Sequence, residues 1–171
     1  MKKLFFTSLL FVAFTVSKSQ VIYYTGEWTK INNQSNFSAI LRLEIKDTLV
    51  TANILWTFMA IDSSDAEALK YYKDKKGKFG IEYAHGKYSA SSHDIMMQGE
   101  VKTDPDLIIG LDKYLLKWSL DKKVIYGKTY SNGDKDGLVY FIRSDDPAIG
   151  IQYKTQEIKL LSMIQEKAFI H

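Results

Sequence analysis

The chain has 171 residues, no cysteine, and 23 basic against 20 acidic side chains. Without cysteine it has no disulfide, no thiolate metal site and no cysteine nucleophile, so its stability rests on a packed core. Lys2, Lys3 and Lys18 fall in an opening stretch that has no acid, and the other 20 basic residues balance the 20 acidic ones. A balanced chain has no bulk attraction to nucleic acid or to an anionic membrane.

The opening, MKKLFFTSLLFVAFTVSKSQ, has the anatomy of a secretory signal peptide. Lys2 and Lys3 form a basic start, and Leu4 to Val16 is an apolar run too short to span a bilayer comfortably. Ser17 and Ser19 put small residues at the −3 and −1 positions of a cleavage site before Gln20. Residues 1–19 are therefore expected to be removed, and residues 20–171 to form one secreted or periplasmic domain with no integral membrane segment. No linker rich in proline, glycine or serine divides that remainder.

Alternation of apolar and polar residues dominates from Val21 to Arg143. Strands are expected near 22–30, 37–45, 51–60, 79–90, 94–103, 107–111, 114–120, 123–130 and 137–143. In the second of these, Phe37, Ala39, Leu41, Leu43 and Ile45 share one parity, and Ser38, Arg42, Glu44 and Lys46 the other, the mark of a half-buried strand. Ala52, Ile54, Trp56 and Phe58 repeat the pattern, as do Tyr114, Leu116, Trp118 and Leu120. Asn33-Gln34-Ser35 and Asn36-Phe37-Ser38 match the glycosylation pattern but read as loop polarity behind a bacterial-type leader.

The insertion DSSDAEALKYYKDKKGK is polar and reads as a surface flap or short helix, capped at Asp62 to Ser64 and ended near Gly77. Its lysines alternate with acids, as on a solvated face. Gly26, Gly86, Gly99 and Gly127 interrupt strand patterns, where glycine marks bends or close backbone approach. After Pro147, IGIQYKT reads as a last strand. QEIKLLSMIQEKAFIH reads as a helix with Thr155 as its N-cap and Ile158, Leu161, Ile164 and Ala168 on its packing face.

The stretch VIYGKTYSNGDKDGLVYF invites a calcium-loop reading through Asn132, Asp134, Asp136 and Gly137. The position of the bidentate glutamate is Arg143, however, and strands rather than helices flank the loop. Asn132-Gly133 is a hairpin turn signal, so the stretch is a hairpin tip.

Glu82, His85, His93 and Asp94 lie close in sequence, but Glu82 and His85 have opposite parity and would not converge on zinc. Glu44, Glu82 and Glu100 could supply paired carboxylates for glycoside hydrolysis, yet nothing local selects two of them. No catalytic residue, metal or cofactor is assigned, and the enzyme question stays open, with a non-enzyme reading ahead of an enzyme. A hydrolase is the third reading.

Many antiparallel strands in one chain must pair their edges or close up. The expected class is mainly β: a single antiparallel β-barrel or strongly curved sheet with a C-terminal helix, with a sandwich as the alternative. Trp28, Trp56 and Trp118 fall on inward parity. They can fill a core or, with Tyr83, Tyr114 and Tyr126, line a cavity for a small apolar or aromatic ligand. Tyr24 is a further inward candidate.

Gly26-Glu27-Trp28 near the mature start, Arg143 at the end of the last barrel strand and a following helix resemble the lipocalin family of calycin barrels. Asp112-Lys113-Tyr114 departs from that family's Thr-Asp-Tyr turn. The resemblance implies a cup for small hydrophobic ligands, with the Arg143 guanidinium packed over Trp28 to close the barrel. The function expected is thus a binding module. The alternative is a structural or protein-interaction domain of the cell envelope that takes no small molecule.

Overall fold

The computed structural model describes residues 20–31, 35–61, 66–131 and 134–169. The leader, its cleavage site, the Asp62–Ser64 cap and the Asn132-Gly133 tip lie outside the described residues. Among the described residues, eight strands run in sequence order: β1 (Gln20–Lys30), β2 (Asn36–Lys46), β3 (Leu49–Ala60), β4 (Phe79–Ser89), β5 (Asp94–Thr103), β6 (Lys113–Trp118), β7 (Val124–Ser131) and β8 (Asp134–Ser144). Helix α1 (Ala66–Tyr72) lies between β3 and β4, and α2 (Pro147–Phe169) follows β8. Each strand pairs antiparallel with the next, and β8 returns to β1, which closes the barrel.

The period-two reading places the interior correctly along most strands. Phe37, Ala39, Leu41 and Leu43 are buried inside, as are Ala52, Ile54, Trp56 and Phe58 of β3. Tyr114, Leu116 and Trp118 point inward from β6, but Leu120 does not join them. It sits in the β6–β7 turn, where no ladder fixes its parity, and is exposed. Eight strands give a barrel just wide enough for side chains to fill. Leu41, Ile54, Ile95, Leu116, Ile125 and Phe141 are all essentially solvent-free there.

The two ends differ. One carries short turns at 47–48, 90–93 and 119–123. There Trp118 Nε1 donates to the Tyr24 hydroxyl at 2.9 Å, and that hydroxyl donates to the Lys122 carbonyl at 3.0 Å. Burial pushes the Tyr24 phenol up to about 12. The other end carries the long connections, α1 between β3 and β4, and residues 104–112 between β5 and β6.

Residues 107–111 are not a strand. Asp104 accepts the backbone N–H groups of Ile108 and Ile109, each at 2.9 Å, which folds the segment back on itself and turns Ile108 inward. The apolar run therefore reports a plug that buries one side chain, Ile108, rather than a ladder, with Leu107 and Leu111 left exposed.

Helix α2 also begins earlier than its sequence pattern indicates. Asp146 Oδ1 accepts the Ala148 N–H at 2.9 Å, and Pro147 occupies the first helical position. IGIQYKT is thus helical, and Thr155 lies mid-helix with its hydroxyl bonded to the Ile151 carbonyl at 2.9 Å. The packing face is Ile149, Tyr153 and Leu160, set against Ile40, Leu55, Ile81 and Tyr83 on the outer face of β2–β4. Ile158, Leu161 and Ile164 point to solvent instead. Among the described residues no helix is long and apolar enough to cross a membrane.

Candidate functional site

A cavity of about 210 Å³ opens at the long-loop end of the barrel. Its wall includes Trp28, Phe37 and Trp56 from β1 to β3, Tyr72 from α1, Ile108 from the plug and Tyr114 from β6. These rings hold one another in edge-on contacts: Phe37 lies 5.4 Å from Trp28 and 6.5 Å from Trp56. Tyr72 stacks on Phe58 at 4.6 Å and 18°, which seats α1 on the mouth. Tyr71 donates to the Leu107 carbonyl, so α1 and the plug are tied to each other.

Trp28 is positioned from two sides. Its Nε1 donates to Thr129 Oγ1 at 2.8 Å, across to β7. Its indole lies over Gly137 of β8, where a Cβ would come within 2.2 Å of Nε1. Only glycine leaves room for the ring at that point.

The polar centre of the cavity is Glu82, which is 2 % exposed. Oε2 accepts from Trp56 Nε1 at 3.1 Å and from the Tyr114 hydroxyl; Oε1 accepts the Asp112 N–H at 3.1 Å. Gly99 makes this possible, since a Cβ there would sit 1.9 Å from Oε1. Loss of water raises the Glu82 carboxyl above its ordinary range, against the pull of the three donors. Tyr114 is raised well above a free phenol, first by burial and then by the neighbouring carboxylate. Lys102 pairs with Glu82 across the strands, but its Nζ turns to Asp104 at 3.4 Å and to the Ile109 carbonyl.

The structure brings together only part of the aromatic set that the sequence singles out. Trp56 and Tyr114 line the cavity. Trp118 is buried at the opposite, short-turn end. Tyr83 and Tyr126 do not turn inward. Tyr83 lies on the outer parity of β4 beneath α2, and Tyr126 is 47 % exposed on the outer face of β7.

Arg143 does not cover Trp28. Trp28 is level with Val139, whereas Arg143 is level with Tyr24, four residues and roughly 13 Å farther along the barrel. Its Nε is paired with Asp145 at 3.1 Å. The cation beside a tryptophan at that end is Lys122, whose Nζ lies 5.1 Å from the Trp118 ring.

The other polar candidates disperse. Glu44 pairs with Arg42 on the outside of β2, and Glu100 pairs with His85 at 3.0 Å in the open, so neither joins Glu82. His93 accepts a turn position with φ of 59° and meets the Tyr88 hydroxyl at 3.3 Å. Among the described residues no group of three or more histidines and acids is placed to hold a metal ion.

Phe37, Tyr72 and Ile108 were not legible as site residues. Phe37 reads as ordinary core, Tyr72 sits in a polar insertion, and Ile108 reads as strand. Outside the barrel, Met96, Leu115, Tyr126, Leu138 and Tyr140 border a broad shallow concavity of about 960 Å³ on β5–β8, the half that α2 leaves bare. No protein-family model, curated protein or solved structure matches this chain.

Proposed function

We propose that this chain is a small β-barrel binding module that takes an apolar or aromatic molecule about one ring in size at its long-loop end. The observation that carries the reading is the aromatic-walled cavity of about 210 Å³ in a barrel otherwise filled by side chains. Size decides the class of ligand. An apolar cavity of roughly 150 Å³ accepts benzene, and pockets for drug-sized molecules begin at roughly 300 Å³. A single ring with a short substituent fits; a long acyl chain does not.

Benzyl alcohol titrated against the protein is expected to give saturable shifts of the Trp28 and Trp56 indole N–H resonances in a ¹H–¹⁵N spectrum. Trp118, at the far end, serves as the internal control and should not move. Absence of saturation, or equal movement of all three indoles, would refute the reading.

We further propose export, with cleavage before Gln20 and function in the periplasm or the medium. The support is the leader's basic start, apolar run and small residues at the −3 and −1 positions. Mass spectrometry of protein from the producing cell should find Gln20 at the N-terminus; an intact Met1 would exclude export by this route.

A second reading, an envelope interaction domain without a small ligand, draws on the bare apolar face of β5–β8. Failure of the ring titration would leave this reading in place.

A further inference from the structure

We infer that the ligand of the loop-end cavity carries a protonated amine, for which Glu82 is the counter-ion. The inference rests on the binding reading above and deepens it.

Buried carboxylates are ordinarily paired with a cation or kept neutral. Glu82 is buried, yet among the described residues no lysine or arginine lies within ion-pair distance of it. The nearest candidate, Lys102, spends its ammonium on Asp104 and a backbone carbonyl. All three partners of Glu82 are neutral donors: Trp56 Nε1, the Tyr114 hydroxyl and the Asp112 N–H. A carboxylate has about four acceptor positions, so three donors leave one open, on Oε1. The group is therefore held rigidly in the cavity wall by neutral donors, and the Lys102 ammonium acts on it only from a distance; a cation brought in by a ligand would favour its charged form over the neutral form that burial promotes.

The aromatic part of the wall favours the same sign. The rings of Trp28, Phe37 and Trp56 are electron-rich and attract a cation placed over a face. Among the described residues the wall also holds Asp112 and Lys30, one side chain of each sign. An anionic ligand would meet Glu82 at close range in a poorly hydrated site. A neutral one would fit but leave the carboxylate unpaired. An ammonium or amidinium on a single ring satisfies both the charge and the π faces. Such a ligand also explains why the site has a glutamate at all, where a filled barrel core would use an apolar residue.

Three probes with the same ring separate the possibilities: benzylamine, benzyl alcohol and benzoate, each titrated by calorimetry at neutral pH in low salt. Benzylamine is expected to bind at least roughly tenfold more tightly than benzyl alcohol, as a desolvated charge pair should, and benzoate not at all. Glu82→Gln, which removes the charge, should abolish the preference for the amine over the alcohol. Equal binding of amine and alcohol overturns the inference and leaves the ring-sized cavity standing. An amine preference that survives Glu82→Gln also overturns it. Binding by none of the three overturns both. Should Glu82→Gln fail to fold, the ranking of the three probes on the native chain decides alone.

Discussion

Trp56→Ala is expected to destabilise the protein by about 3–5 kcal/mol. Two losses combine. The indole is buried among Phe37, at 6.5 Å, and Phe141, at 6.1 Å, and its removal leaves a void that a closed barrel cannot collapse to fill. Its Nε1 is also one of three donors to Glu82, so truncation takes support from a buried carboxyl. Trp56→Phe separates the terms: it keeps much of the ring and deletes the donor, and should cost about 1–3 kcal/mol. The full loss is a large fraction of the 5–15 kcal/mol that is typical of a domain. Urea denaturation with an unchanged slope is the measurement. A cost under about 1 kcal/mol for the alanine variant would mean that the indole is not packed as described.

Leu160→Ala is expected to cost about 2–5 kcal/mol, whereas Ile158→Ala should stay within about 0.5 kcal/mol of the native protein. Leu160 is fully buried with Tyr153 against Ile40, Leu55 and Ile81, while Ile158, two positions away, is 63 % exposed. Tyr153 fixes the helix further: its ring lies 6.0 Å from Tyr23, and burial raises its phenol. Hydrogen exchange should show the consequence in the sheet. Loss of Leu160 should loosen β2–β4, the strands that α2 covers, and leave β6 and β7 protected. If Ile158→Ala proved the costlier change, α2 would pack through the face that its sequence pattern favours.

That contrast shows where sequence periodicity runs out. Phe37 to Ile45 and Ala52 to Phe58 determine their inward faces unaided, because a period of two has only one apolar set to bury. The order of short strands narrows the class to a barrel, a curved sheet or a sandwich, since open edges are costly and consecutive antiparallel strands pair with their neighbours; the β1–β8 ladder decides for closure. The absence of cysteine makes the core responsible for stability. Parity, however, says in or out and nothing about depth along the barrel. Trp28 and Arg143 are both on inward parity, and only the β1–β8 register puts them roughly 13 Å apart. The outer apolar residues Ile40, Leu55 and Ile81 were the signal for a covered outer face, but they name no partner. The docking of α2 through Tyr153 and Leu160 supplies it. Helical spacing alone permits either of two apolar stripes on α2, and the choice depends on which one meets those three residues. Glu82 is the plainest case. Its sequence neighbours suggest a metal ligand or a catalytic acid, yet its environment is made by Trp56, Gly99, Asp112 and Tyr114, contributed by three separate segments. A burial created by groups 17 to 32 positions away leaves no local pattern, so the tertiary structure alone decides what that carboxyl faces.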